Sequence, residues 1–357
     1  MYQQKKSFAL IFNLLKYIPH DTIIYLYYYI GFTPGNKELL KNAIDLWENN
    51  RNEALVKYGH ISFWNVQNII DMSYLFQYYE NFNDSLINWN VTNVTNMSYM
   101  FCCCSKFNQS LKKWNVSKVK NMYGMFYHCR KFNQQLESWN VSEVTNMQEM
   151  FYCCENFNQS LKKWNVSKVT NMQGMFSHCI KFNKSIDKWD VSAVTNMAEM
   201  FSHCIIFNRS LNSWNVCNVI NMSFMFESCE KFNQHLYKWN ISNVIDTTHM
   251  FYNCRIFNKP LNTWNVSKVI NMNSMFEECI NFNQPLASWN VANVINTTNM
   301  FYNCTDFNQF LNTWNISNII YMTNMFYNCI NLNPKNVSYI NEACRNTINN
   351  IVSDTTY

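Results

Sequence analysis

The sequence repeats itself with a constant period of 25 residues through most of its length. Tryptophan stands at position 64 and at every 25th position up to 314, without a slip. Phenylalanine keeps the same period from Phe76 to Phe326, and cysteine keeps it from Cys104 to Cys329. Because no insertion interrupts the copies, each copy is expected to be one structural coil that stacks on the next.

The arrangement of apolar residues in one copy predicts the shape of the coil. The segment Leu111–Val116 is short, and Trp114 and Val116 alternate in it, which predicts a strand. From Asn121 to Cys129 the apolar residues recur at spacings of three and four, which predicts a helical turn or short helix. The predicted fold class is therefore a leucine-rich-repeat-like solenoid of about eleven coils, with one short parallel strand and one helical turn per coil, behind a helical N-terminal cap.

The recurring aromatic and cysteine residues are predicted to form the core. Tryptophan recurs in phase with valine and leucine, which favours burial over the alternative, an exposed aromatic ladder that binds sugars or bases. The residues chosen to represent these structural core rows are Trp114, Trp139, Trp164, Phe126, Phe151, Cys129, Cys154 and Cys179.

The cysteine row also bears on redox state and on metals. Neighbouring cysteines occupy the same place on adjacent coils and point the same way, which is poor geometry for a disulfide. We therefore expect free, buried thiols and an intracellular protein. His128, His178 and His203 each precede a cysteine of this row. We expect these histidines to point outward and to form no metal site, the alternative being zinc ligation.

Asparagine rows accompany the core rows. An asparagine follows the core phenylalanine in every copy, from Asn83 to Asn333. Stacked amides can satisfy backbone groups at the corners of a coil. The alternative is N-glycosylation, because sequons such as Asn90-Val-Thr and Asn115-Val-Ser recur beside the tryptophans.

The unit FNQSLKKWNVSKVTNMQGMFSHC, residues 157–179, resembles the BspA-like leucine-rich repeat in its 25-residue mycoplasma form. The resemblance covers about residues 58–334, and it implies a solenoid that binds other macromolecules. Similar repeats occur in bacteria, protists and large DNA viruses of amoebae. Surface lipoproteins of this family carry an export signal and a lipidation cysteine, which the N-terminal sequence here does not match. A giant-virus or protist member is therefore expected.

Three regions follow from the extent of the repeat. Residues 1–57 are predicted to form a helical N-terminal cap, residues 58–334 the solenoid, and residues 335–357 a C-terminal cap and tail. Within the first region, residues 10–35 resemble an F-box, because Ile18-Pro19 is followed by an apolar helical pattern. That resemblance implies docking to a ubiquitin-ligase scaffold.

The composition and the variable positions point to binding rather than catalysis. Five glycines in 357 residues leave little room for a phosphate-binding loop, and no catalytic set stands out, so no enzyme activity, cofactor or metal is predicted. Residues 105–188 hold 13 lysines or arginines against 5 aspartates or glutamates, an excess of eight positive charges in a chain of net charge +5. The candidate partner-binding residues are Lys112, Lys113, Lys162, Lys163 and Lys188.

The predicted function is a non-catalytic protein–protein interaction module that uses the sheet face of the solenoid and its variable neighbours. The partner is expected to be a protein, and the basic early coils favour an acidic one, while nucleic acid and a membrane span are not expected. The alternatives are an F-box-like substrate adaptor of a ubiquitin ligase and a cell-surface adhesin.

Overall fold

A computed structural model of the chain describes residues 31–340. Two α-helices stand at its start, α1 (Lys37–Asn49) and α2 (Arg51–Tyr58). Two short 3-10 helices follow, Ile61–Phe63 before the first coil and Pro334–Val337 after the last. The predicted F-box-like segment lies, as far as residue 30, outside the described residues.

Helix α1 lies within residues 1–57, where the sequence predicts a helical N-terminal cap. The Asn36 side chain accepts a hydrogen bond from the Leu39 N–H, which caps the helix. Leu40, Ile44 and Trp47 are buried on one face. That face packs toward the first coil, so the helix covers apolar surface that an end coil would otherwise expose.

Each coil is a chain of β-turns rather than a strand followed by a helix. Backbone hydrogen bonds close the turns Leu111–Trp114, Val116–Val119, Met122–Met125, Phe126–Cys129 and Cys129–Phe132, with N···O distances of 2.9–3.2 Å. Both end residues of every turn are buried. The same pattern recurs in the other coils, so the turn tips lie outward and the turn ends form the core.

The predicted strand and helical turn are therefore wrong in detail. Leu111–Val116 contains a turn and no strand, and no strand occurs anywhere in residues 31–340. Parallel pairing is confined to isolated bridges between residues such as Asn96, Asn121 and Asn146. In Asn121–Cys129, Gly124 and His128 have φ of +55° and +58°, which an α-helix does not contain. The chain is a repeat solenoid, as predicted, but its coils are built from turns and not from a strand and a helical turn.

Alternate backbone groups join each coil to the next. The N–H groups of Met122, Gly124, Phe126 and His128 donate to carbonyls 24 residues further along, at 2.7–3.0 Å. Ten isolated parallel bridges link the eleven coils from Asp71 to Tyr321. Stacking thus satisfies backbone groups that an isolated coil would leave exposed.

The side chains of the core also stack from coil to coil. Phe101 and Phe126 lie with ring centroids 5.7 Å apart and an interplanar angle of 3°. The indole N–H of Trp114 donates to the Leu86 carbonyl at 2.9 Å, and the Cys129 thiol donates to the Phe101 carbonyl at 2.9 Å. Both bonds recur along the solenoid with the same separation of 28 residues, so these two rows link the coils as well as fill them.

The asparagine row that follows the core phenylalanine serves the coil corners, as predicted. The side-chain oxygen of Asn83 accepts from the Asn108 N–H at 2.9 Å, and Asn108 does the same for Asn133. The bond repeats as far as Asn333. The sequon residue Asn115 accepts from the Ser117 N–H at 3.1 Å within its own coil.

Candidate interaction surface

The predicted partner-binding lysines lie at the outer tips of one row of turns. Lys112 and Lys113 are the two middle residues of the turn Leu111–Trp114, and Lys162 and Lys163 occupy the same places two coils later. All four are exposed, as is Lys188 in the following coil. The lysines therefore lie at a corner of the coil and not on a sheet face, because the described residues form no sheet.

Two of these lysines share a shallow depression. Its volume is about 310 Å³, and Lys112 and Lys163 line it from coils two apart. Glu137 lies in the coil between them and accepts a hydrogen bond from the Ser160 hydroxyl at 2.7 Å. Gln135 and Gln159 complete the polar lining. Lys113, Lys162 and Lys188 are exposed nearby.

A second depression lies on another side of the early coils. It has a volume of about 510 Å³, and its lining includes Lys106, Arg130 and Lys131 together with Tyr127 and His128. Burial raises the pKa of Tyr127 to about 12, so its phenol is neutral at physiological pH. We call the corner with Lys112, Lys113, Lys162, Lys163 and Lys188 the lysine corner. The positive charge of the early coils therefore extends beyond it.

An aromatic ladder starts beside the second depression. Tyr127 and Tyr152 stack at 4.8 Å between ring centroids, and His178 and His203 stack at 4.3 Å. Because the rings cover one another at the spacing of the coils, they turn their edges to the solvent. A nucleic-acid base needs a free ring face for stacking, so this ladder does not favour base binding.

The histidines beside the cysteine row are half-buried, whereas the cysteines are fully buried. Burial, with His203 alongside, lowers the pKa of His178, and burial raises that of the Cys179 thiol. All the cysteines in residues 31–340 are free. Within the same range, no group of three or more His, Cys, Asp or Glu side chains is placed to hold a metal ion.

The residues chosen from the core rows are buried at the centre of the coils. Trp114, Trp139 and Trp164 expose 3–4% of their surface. The phenylalanines and cysteines of the set, Phe126, Phe151, Cys129, Cys154 and Cys179, expose none. They hold the turn tips in place and are out of reach of a partner.

Sequence reasoning missed Glu137 and Ser160 at the lysine corner and the whole aromatic ladder. The residues of the ladder occupy two variable positions of the repeat, which carry tyrosine, histidine, cysteine, serine, glutamate, asparagine and glutamine in no regular order. Only the coil-to-coil stacking of those positions, which the period itself implies, could have grouped them.

Comparisons with known proteins place these features in a family. A family model described as "Mycoplasma protein of unknown function, DUF285" matches residues 45–164, 147–258 and 235–339. No curated protein matches the chain.

One solved structure with some likeness is the crystal structure of the TLR13-ssRNA13 complex. It shares 9% sequence identity at a TM-score of 0.23, over 88% of this chain and 55% of that one. This chain therefore spans about half the length of that protein.

In residues 31–340, no helix has the length and apolar character needed to cross a membrane. The three family matches overlap and together run from residue 45 to residue 339, which is most of the chain. The chain belongs to the DUF285 family of mycoplasma proteins of unknown function.

Proposed function

We propose that the chain is a non-catalytic protein-interaction module whose early coils bind an acidic protein. The observation that carries this proposal is the lysine corner, where Lys112, Lys113, Lys162 and Lys163 extend from two copies of one turn, two coils apart, with Lys188 in the next coil. Lysines held at fixed positions on a rigid solenoid meet a partner through many small contacts. Electrostatic attraction then sets the rate of association and the preference for acidic surfaces.

The proposal extends to origin and location. The resemblance of the repeat to BspA-like units supports a macromolecular partner and a giant-virus or protist source. The row of free, buried thiols from Cys104 to Cys329 agrees with a reducing, intracellular setting. Protein is favoured over nucleic acid, because the lysines spread around the coil and the aromatic rings cover one another.

A charge-reversal pair tests the proposal. The first variant carries Lys112→Glu, Lys113→Glu, Lys162→Glu and Lys163→Glu. The control carries the same charge change in late coils and beyond, with Lys231→Glu, Lys238→Glu, Lys259→Glu and Lys335→Glu. Proteins captured from a cell lysate by the full chain are identified by mass spectrometry, and one is purified for a direct binding titration.

The expected result is an acidic partner that binds the wild type and the late-coil control but not the early-coil variant. Binding should also weaken as salt concentration rises, because exposed charges are screened. If both variants bind as tightly as the wild type, the lysine corner is not the binding surface.

A further inference from the structure

A stripe of exposed isoleucines runs along the late coils. Ile220, Ile245, Ile270, Ile295 and Ile320 occupy one position of five successive coils, and each exposes 37–59% of its surface. Each N–H donates to the carbonyl of the residue 25 positions earlier, at 2.9 Å. The backbone therefore holds the five side chains in a row about 19 Å long, at about 4.8 Å per coil.

The fold does not require an apolar residue in this row. Thr145, Thr170 and Thr195 fill the same position in earlier coils, are exposed, and make the same coil-to-coil hydrogen bond at 2.9 Å. Threonine keeps the β-branched shape and adds a hydroxyl. Isoleucine in five successive late coils removes the hydroxyl, which donates to the preceding coil at 3.2–3.3 Å, and adds exposed apolar surface in its place. A contiguous patch of that kind marks an interaction site.

The rows on either side of the stripe are almost uncharged. On one side, four asparagines donate to backbone carbonyls of the preceding coil at 2.7–2.8 Å; they are Asn218, Asn243, Asn293 and Asn318. Lys268 completes that row, and Asp246 is the charged residue on the other side. One charge of each sign leaves the face neutral, so neither an acidic protein nor an anionic membrane is attracted to it.

We propose that the isoleucine stripe is the docking surface for a second copy of this chain, packed side by side and antiparallel. A row of knobs at about 4.8 Å fits between the knobs of an identical row, whereas a surface with another spacing meets it at only one or two points. The partner whose spacing is known to match is the solenoid itself. Charge neutrality removes the repulsion that would oppose contact between identical faces.

The antiparallel direction follows from the charge of the rest of the chain. The stripe lies in the late coils, and the excess positive charge lies in residues 105–188. In an antiparallel pair centred on Ile270, the basic coils of the two copies extend from opposite ends. A parallel pair would place them side by side. The antiparallel pair is also a closed two-fold dimer, in which both copies use the same patch.

The size of the patch predicts a weak dimer. A single row is too narrow for the roughly 800 Å² per partner of a standard interface, so the asparagine rows must join it. We expect dissociation in about the micromolar range, visible as a concentration-dependent mass.

Sedimentation equilibrium of the full chain tests the proposal. The variant Ile245→Thr, Ile270→Thr, Ile295→Thr uses the residue that earlier coils carry, so it should fold as the wild type does, with an unchanged circular dichroism spectrum. Its dimer dissociation constant should rise at least about tenfold. The control Ile206→Thr, Ile256→Thr removes exposed isoleucines outside the stripe and should dimerise like the wild type. A wild type that stays monomeric, or a triple variant that dimerises as well as it does, would overturn the proposal.

Cross-linking tests the direction of the pair. In the interdigitated antiparallel dimer the two-fold axis passes beside Ile270, so a cysteine introduced by Ile270→Cys lies about half a coil spacing along the row from its counterpart and should form a disulfide between copies. Ile220→Cys lies at the end of the stripe, opposite Ile320 of the other copy, and should not cross-link to itself. Efficient cross-linking through Ile220→Cys would instead show a parallel pair and overturn the antiparallel arrangement.

Discussion

Individual residues of the coil adopt a left-handed backbone conformation that could not be predicted from their residue types. Two positions per coil have positive φ, the rows of Gly124 and His128, and most residues in them are not glycine. The left-handed conformation costs an ordinary residue about 1–2 kcal/mol. It also directs alternate N–H groups toward the next coil, where they find carbonyls. The coil-to-coil hydrogen bonds offset that cost, so tertiary structure and not local preference fixes the conformation.

Gly124 is required for space rather than for its positive φ, which residues other than glycine adopt elsewhere in the same row. A Cβ at residue 124 would lie 2.3 Å from Cε1 of Tyr99, whereas the nearest atom to a Cβ at Gly174 is the flexible Glu149 Cγ at 3.2 Å. Both glycines have φ near +55°, so the backbone cost of alanine is similar. We expect Gly124→Ala to lower the free energy of unfolding by about 1–3 kcal/mol more than Gly174→Ala.

Urea denaturation of the two variants measures that difference. Tyr99→Ala removes the ring that crowds residue 124. In that background, Gly124→Ala should lower the free energy of unfolding by no more than Gly174→Ala does in the wild type. Equal losses in the two single variants would mean that the ring moves aside without cost.

At the scale of elements, the period of the fold could be predicted from the sequence, whereas the type of turn could not. Apolar spacings of three and four occur in an amphipathic helix, and they also occur when four-residue turns follow one another with both end residues inward. Met122, Met125, Phe126 and Cys129 belong to the second case. Periodicity cannot separate the two, because both place the same residues in the core. The core rows were predictable for the same reason, since burial depends on spacing alone.

The first coil departs from the repeat where helix α1 contacts it. Asp71, Tyr79 and Asp84 stand where the next coil has asparagine, cysteine and glutamine. Asp71 pairs with Lys37 at 2.9 Å, and Tyr79 bonds Lys41 and Asp45. The three departures together make a polar seam between the helix and the solenoid.

Asp84 has two partners in that seam, which gives a test of it. Its carboxylate accepts from the Trp47 indole N–H at 2.9 Å and pairs with Arg51 at 2.6 Å. Asp84→Ala leaves the indole N–H of the buried Trp47 without this acceptor, which costs about 1–3 kcal/mol. We expect amide hydrogen exchange to speed up in α1 and the first coil, and to stay unchanged in coils beyond residue 200. Uniform acceleration along the chain would contradict a local seam.

His178, one of the rings of the aromatic ladder, makes the free energy of unfolding depend on pH. Burial lowers the pKa of His178 below the ordinary value of 6.5, so the unfolded chain takes up a proton first as pH falls. Stability is therefore lost as pH falls through about 6.5. His178→Asn should reduce this loss, because Asn253 and Asn303 occupy the same left-handed position in later coils.

Denaturation midpoints on either side of that pH provide the measurement. The wild type is expected to lose more stability than His178→Asn between about pH 7.5 and pH 5.5. The exposed His235, changed to asparagine, is the control for removing one histidine. Equal losses in the wild type and His178→Asn would rule out this residue as a source of the pH dependence.

For the molecule as a whole, one regular solenoid carries two different surfaces, one on its early coils and one on its late coils. The early coils carry the excess positive charge and the lysine corner, and the late coils carry the neutral isoleucine stripe. The residues of the lysine corner and of the isoleucine stripe lie on turn tips or edges. Substituting them leaves the core rows and the coil-to-coil hydrogen bonds unchanged. The sequence showed the charged half directly. It did not show the stripe, because which variable positions face solvent depends on the turn structure that periodicity left open.

Such a scaffold predicts that whole coils are removable units. Deleting residues 195–219 joins Val194 to Ile220, and each residue then keeps its place in the repeat. Deleting residues 196–219 removes one residue fewer and shifts every later row by one place relative to the coil before it.

Because each coil contacts only its neighbours, the 25-residue deletion should fold into a shorter solenoid with a proportionally smaller denaturant m-value. The 24-residue deletion places a surplus residue between two coils, which disrupts the ladder there and should split unfolding into two transitions. Circular dichroism during denaturation distinguishes these results, and indistinguishable unfolding of the two deletions would contradict a stack held in register by its period.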